Sequence, residues 1–331
     1  MNLGRSATGP GIRRPASLAA VALLILLAAT PPGALAATVP AGFPHQSLSS
    51  KGVDVKAIQG FLRHHGFMTA RVDGIFGSHT ENAVRTFQAA KGLTVDGQVG
   101  QDTWAALLVR VQSGSTGDAV MALQRQLNEK RAARLPVDGV FGASTLAALR
   151  SFQRHARVGD TGIAGPVTWK ALIRHLELPA FGSRLCPYQV GNGPAHWGTA
   201  GAHGQLEAAA HRVVELGHGR VAVGDLSHEH GGDLAGHQSH EVGLDVDVRP
   251  MRTDRAQCSW GVNYRWSTYD RAATRDLVKA IRETAQGHVK LIYFNDPVLI
   301  REGLVRWYAG HDDHLHIRYC ERVHPIPAYD C

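Results

Sequence analysis

Cysteine is missing from the first 185 residues, and the four present, Cys186, Cys258, Cys320 and Cys331, form no CxxC pair. That spacing weighs against metal ligation by thiolates. HExxH is missing too. His240-Glu241-Val242-Gly243-Leu244 ends in leucine and His228-Glu229-His230 fails as well, which weighs against a helix-borne zinc protease site. No charge of one sign dominates: 35 Lys and Arg face 28 Asp and Glu, for a formal +7. A balance so mild and scattered gives no case for a nucleic-acid partner, although it suits an anionic polymer.

Long apolar runs are absent except for one near the start, Leu18–Ala29. It is short for a membrane span, which takes about 20 residues. Arg5, Arg13 and Arg14 precede it without any acid, and Ala34-Leu35-Ala36 follows with small residues. This is the pattern of a secretory signal peptide over residues 1–36. An uncleaved anchor is the alternative, disfavoured by the helix breakers Pro31, Pro32 and Gly33. Loss of 1–36 leaves a formal +4 and no membrane span. The protein is then expected to be exported, to the periplasm or the cell wall. In an exported chain an even cysteine count reads as disulfides. Three pairings exist. The nearest in sequence, Cys320 with Cys331, ties down the C-terminal tail and leaves Cys186 for Cys258. Nothing in the sequence fixes an oligomeric state.

After a linker at 37–50, the chain repeats itself at an offset of 65 residues. Val72-Asp-Gly-Ile-Phe-Gly77 matches Val137-Asp-Gly-Val-Phe-Gly142. Gln59 matches Gln124, Thr80 matches Thr145, Phe87-Gln88 matches Phe152-Gln153, and Trp104 matches Trp169. So constant a register is a tandem duplication. Val55, Ile58 and Leu62 form one helical face, Ala83, Val84 and Phe87 a second, and Trp104, Leu107 and Leu108 a third. Each copy is therefore expected to be three short helices around its own core. No His/Asp/Glu cluster recurs in both copies. His64, His65 and His79 lack counterparts in the second and read as solvated, and the recurring Trp and Phe read as core. The pattern of VDGIFG, TxxAVRxFQ and GxxTWxAL resembles the peptidoglycan-binding domain of bacterial wall hydrolases. The resemblance implies wall-anchoring modules at 51–110 and 111–177. Arg157-Val-Gly-Asp160 departs from the family's turn in the second copy and puts its ligand groove in question.

From about residue 180 the helical repeat stops and histidines concentrate: His228, His230, His237 and His240, then His311, His314 and His316. An α+β domain is expected over 180–331. Its helices are expected at 206–216 and 269–284, and its strands at 220–224, 244–248, 289–294 and 314–319. Residues i and i+2 of a strand share a face. Asp245 and Asp247 should then point one way, and so should His314 and His316. Two imidazoles and a carboxylate are a ligand set that leaves zinc an open fourth position. Solvated loop histidines are the bland alternative, and the cluster as a whole favours the metal.

Gly236-His237-Gln238-Ser239-His240-Glu241-Val242-Gly243-Leu244-Asp245-Val246-Asp247 and His311-Asp312-Asp313-His314-Leu315-His316 resemble the two motifs of the penicillin-insensitive murein endopeptidases. These belong to the LAS group of zinc peptidases. The fold class expected is therefore multidomain: two small all-α three-helix domains, then an α+β LAS-type metallopeptidase domain with an antiparallel sheet. The resemblance implies zinc as cofactor, with His240, Asp247 and His316 as ligands and His237 as a supporting group or further ligand. It places His311 and His314 beside the reacting water, as base or stabiliser, their roles not divided. Asp245 is either an orienter of a ligand histidine or a solvated strand residue. No histidine lies between Asp247 and Gly287 to support the additional metal some members hold. The implied activity is hydrolysis of peptide cross-links in peptidoglycan. A D-Ala-D-Ala carboxypeptidase and a non-catalytic wall-binding protein are the alternatives. Arg249 or Arg318 is a candidate to hold a substrate carboxylate. Of Trp260, Tyr264, Trp266, Trp307 and Tyr308, at least half are expected in the core.

Overall fold

The computed structural model describes residues 42–188 and 195–331. The expected signal peptide at 1–36 lies outside the described residues. Among them, no helix is long and apolar enough to cross a membrane.

Each repeat forms three helices: α1 (Val53–His64), α2 (Ser78–Lys91) and α3 (Gln101–Leu107), then α4 (Asp118–Arg131), α5 (Ala143–His155) and α6 (Pro166–Arg174). A buried glutamine fixes the first turn of each. The Gln59 amide donates to Asp73 Oδ1, the Ile75 carbonyl and Thr80 Oγ1, and its oxygen accepts from the Asp73 and Gly74 N–H groups. Gln124 repeats this with Asp138, Val140, Thr145 and Gly139. Full satisfaction of a buried amide makes the turn a single well-defined structure. Gln88 and Gln153 build a second such pair. Thr161 takes the acceptor place that Asp96 holds in the first copy, so the departure at 157–160 leaves the turn formed. Trp104 and Trp169 are fully buried, as expected, each donating its indole N–H to a carbonyl 60 residues earlier, Pro44 and Val109.

Two expectations need correction. The copies do not have separate cores: α1 packs on α4, the Phe61 ring meets Trp169 edge-on at 4.9 Å, and one apolar cluster runs through both. His65 is not solvated; its Nε2 bonds the Leu107 carbonyl and its ring lies against Phe87.

The C-terminal part has β1 (Leu185–Pro187), α7 (Ala200–Glu215), β2 (Val221–Val223), β3 (Asp245–Val248), α8 (Arg271–Thr284), β4 (Val289–Tyr293), α9 (Pro297–Arg301) and β5 (Leu315–Tyr319). Thr199 and Asp270 cap α7 and α8 by accepting from the N–H groups of Ala202 and Ala273. The sheet runs β1-β2-β3-β5-β4. It is mixed rather than purely antiparallel, because β1 pairs parallel with β2. β1 was not anticipated; three residues ending in proline carry no period-2 signal. Val246 and Val248 point into the core formed with α7 and α8, where Leu206, Val213, Leu277 and Ile281 are fully buried. That alternation sends Asp245 and Asp247 to the opposite face, where they are buried nonetheless.

The repeats pack tightly on this domain. A Cβ on Gly204 of α7 would lie 2.7 Å from the backbone nitrogen of Gly52, so only glycine permits this approach. Lys130 is fully buried, 3.6 Å from Asp54 and 3.1 Å from Glu177, and joins the two repeats to the segment that leads into the sheet. Two disulfides, Cys186–Cys258 and Cys320–Cys331, match the expected pairing.

Candidate metal centre

Strand register assembles the site. β3 and β5 are antiparallel neighbours with Asp247 directly opposite His316 and Asp245 opposite Arg318. The loop before β3 brings His240, held at φ 75, a conformation that a non-glycine residue adopts rarely. The His240 backbone N–H donates to Asp245 Oδ2.

Three atoms converge. His240 Nε2 lies 3.1 Å from His316 Nδ1, His316 Nδ1 lies 3.1 Å from Asp247 Oδ1, and His240 Nε2 lies 3.4 Å from the same oxygen. A tetrahedral zinc with bonds of about 2.0–2.1 Å has ligand–ligand edges of about 3.3 Å. The partners of the outer nitrogens decide the protons. His240 Nδ1 faces the Leu226 carbonyl, which only accepts, so Nδ1 carries the hydrogen and Nε2 is bare. His316 Nε2 faces Asp245 Oδ1 at 3.0 Å and donates to it, which turns Nδ1 inward. Lone pairs thus meet at one point, an arrangement that is repulsive unless a proton or a cation sits among them. The donor set fits zinc, with the outer hydrogen bonds that metal-bound imidazoles usually make.

The titration behaviour shows the same demand for positive charge. Burial lowers the His316 basicity, but Asp245 and Asp247 overturn that and push it up to about 9. Burial opposes the charge on Asp247, yet His240 and His316 hold its carboxyl well below the usual range. His237 donates from Nε2 to Asp225 Oδ2, which raises its pKa despite partial burial, and its Nδ1 is turned towards Asp247 Oδ2 at 3.9 Å. Ligand-type atoms of His237, His240 and Asp247 all lie within 4.8 Å of one another.

Asp245 is not solvated. It is fully buried and accepts from His316, from Arg318 Nε at 2.7 Å and from the Tyr329 hydroxyl at 2.6 Å. Arg318 is thereby committed to Asp245 and stacked over Tyr329, so it is not a free substrate anchor. Arg249 stacks on the Tyr188 ring and donates to the Gln257 carbonyl.

His311 and His314 stand beside the cluster, their rings 4.6 Å apart and that of His311 5.6 Å from His316. β5 begins at Leu315, so His314 precedes the strand, and the i, i+2 argument does not place it. His314 Nδ1 pairs with Asp313 Oδ1 at 2.9 Å, which holds that carboxyl below its usual range. His311 Nδ1 donates to the Ala309 carbonyl, and burial, then His314, lower its pKa. Across the mouth the Tyr308 hydroxyl donates to Gln238. Fewer than half of the five aromatics lie in the core, against expectation: Trp260, Trp266, Trp307 and Tyr308 are exposed, and Tyr264 packs on the core. A cavity of about 550 Å³ between the linker, the repeats and the C-terminal domain, lined by Phe43, Ile173, Val242 and Glu321 among others, contains none of the cluster residues.

Asp225, Leu226, Asp313 and Tyr329 were not singled out from the sequence. Asp225 carried a signal, as the residue just after an expected strand. Tyr329 carried none, 84 residues from Asp245.

The molecule thus joins a fused pair of helical repeats to an α+β domain that holds a His/Asp centre at its sheet. In keeping with it, the family model described as putative peptidoglycan binding domain matches residues 51–107 and 116–172, and that of penicillin-insensitive murein endopeptidase matches 187–294. The chain thus carries two peptidoglycan-binding domains followed by a domain of the murein endopeptidase family. Among curated proteins it is similar to the N-acetylmuramoyl-L-alanine amidase CwlM of Mycobacterium tuberculosis, 37% identical over 30% of this chain and 27% of that protein. It is also similar to the zinc D-Ala-D-Ala carboxypeptidase of Streptomyces albus G, 35% identical over 28% of this chain and 36% of that one. An uncharacterized protein in the bpoA1 3' region of Kitasatospora aureofaciens is 42% identical over 30% of this chain and 96% of its own length. The chain thus spans about a quarter to a third of the two named enzymes.

Proposed function

We propose that this protein is an exported zinc endopeptidase that cleaves D-alanyl-diaminopimelyl cross-links in peptidoglycan, working at or near the wall to which its repeats bind. The convergence of His240 Nε2, His316 Nδ1 and Asp247 Oδ1 within 3.1–3.4 Å carries this reading. The murein endopeptidase match over 187–294 and the zinc carboxypeptidase relative support it.

His240, Asp247 and His316 would hold the ion, with His237 within reach as a further ligand. A bound zinc supplies a Lewis acid and an acidified water at neutral pH. Asp245 and the Leu226 carbonyl fix the two ligand imidazoles in the tautomers that present lone pairs. His314 would act as the base: Asp313 orients its Nδ1–H, leaving Nε2 to take a proton from the attacking water and pass it to the leaving amine. His311, kept largely neutral by burial, completes the polar wall beside it. No side-chain nucleophile is needed, so β-lactams, which acylate a serine, should not inhibit.

Digestion of purified cross-linked muropeptide dimers with zinc present tests the reading. Conversion to monomers is expected, and its loss in His240→Ala. Release of free alanine without splitting of dimers would instead mark a carboxypeptidase, and no product at all would leave a wall-binding protein.

A further inference from the structure

A second group of converging imidazoles lies outside this site, between the second repeat and the C-terminal domain. His155 ends α5, His175 follows α6, and Glu229 and His230 belong to the loop between β2 and β3. Nε2 of His155 lies 3.2 Å from Nε2 of His175 and 3.1 Å from Glu229 Oε1, and His175 Nε2 lies 3.7 Å from that oxygen. Ligand-type nitrogens of His155, His175 and His230 all fall within 4.8 Å of one another. The His175 side chain is 6% exposed and those of His155 and Glu229 are 25% and 29%, so the point is sheltered yet reachable.

Tautomers settle what faces what. His175 Nδ1 abuts the Leu176 carbonyl, which can only accept, so that nitrogen bears the hydrogen and Nε2 presents a lone pair. His155 Nε2 faces this lone pair, the Glu229 carboxylate and the guanidinium of Arg131 together. Arg131 also pairs with Glu229 Oε1. Arg131 can only donate, so His155 Nε2 presents a lone pair to it, and the lone pairs of His155, His175 and Glu229 stand 3.1–3.7 Å apart, near the ~3.3 Å edge of a tetrahedral zinc. The positive charge now beside them comes from Arg131, whose side chain is 31% exposed and can swing towards solvent. Three imidazoles with one carboxylate suit zinc far better than magnesium or calcium, which take oxygen ligands.

We propose that His155, His175 and His230, with Glu229, form a second transition-metal site, of zinc type, that clamps the second repeat to the C-terminal domain. The clamp has a structural consequence. Its loop residues lie on the segment that runs on to His237 and His240, so the ion would fix one end of the loop that carries the first site. Coordination would require Arg131 to release Glu229.

The test is zinc stoichiometry and affinity on the metal-stripped full chain, by titration calorimetry and elemental analysis. Two zinc ions per wild-type chain are expected. The His155→Ala/His230→Ala variant should keep one, with the second bound at least tenfold more weakly, and His240→Ala should lose only the other. Arg131→Gln, which retains all four ligands, should bind the second ion more tightly. A single ion in the wild type that vanishes in His240→Ala would overturn the proposal and leave Arg131 as the true occupant. So would a second ion unaffected by the double substitution. Failure of the catalytic reading would instead show as an ion count unchanged by His240→Ala, so the two readings fail separately.

Discussion

His316 Nε2 lies 3.0 Å from Asp245 Oδ1, across the pairing of β3 with β5. The carboxylate sets the imidazole tautomer and so aims Nδ1 at Asp247. Outer partners of this kind typically contribute 10–100-fold to metal affinity. Asp245→Asn is therefore expected to weaken zinc binding about 10–100-fold in chelator competition while leaving circular dichroism in the helical region unchanged. Activity measured at limiting zinc should fall in proportion and recover partly when zinc is added.

The tail reaches the same carboxylate. The Tyr329 hydroxyl donates to Asp245 Oδ2, and the Cys320–Cys331 disulfide closes the segment that holds Tyr329. Tyr329→Phe leaves a buried carboxylate short of one hydrogen bond and should cost about 1–3 kcal/mol in urea unfolding. Cys331→Ser should loosen the tail and give a smaller loss of zinc affinity than Asp245→Asn.

Lys130 is a fully buried cation between two buried acids, Asp54 and Glu177. Burial works against its charge, and the two carboxylates overturn that and raise its pKa. Lys130→Met strands both acids and should destabilise the chain by about 3–5 kcal/mol. Adding Asp54→Asn and Glu177→Gln should recover much of that loss, as read by chemical denaturation at pH 7.

Burial pushes the Glu321 carboxyl up to about 8, against the help of the His45 N–H that it accepts. Its folded value lies above the unfolded one, so its contribution is fully present below about pH 4.5 and is lost as pH rises through 8. Glu321→Gln should match the wild type near pH 4 and exceed it at pH 8.5, by about 1–3 kcal/mol after screening at this partly exposed position. Melting temperatures across that range check the sign; a wild type more stable than the variant at pH 8.5 contradicts it.

The repeats were legible because duplication writes the same residues twice. Gln59 and Gln124, Trp104 and Trp169 stand in the sequence as pairs, and periodicity gave their helices. Their fusion into one core was not legible, since Phe61 on Trp169 is a contact between copies that no local pattern encodes. In the C-terminal part, DVDV announced a strand with acids on one face, and HQSH and HDDHLH marked the loops of the centre.

Which acid stands opposite which imidazole was left to register. Asp247 faces His316 and Asp245 faces Arg318 because β3 and β5 pair antiparallel in one alignment, and a slip of one residue would have turned the acids into the core. Sequence alone determined the residue types, their order and their local faces, because these depend on neighbours along the chain. Tertiary structure decided the partners of Asp245 and the meeting of His155 with His175 and His230. Those contacts join residues that only chain folding brings within a few ångströms.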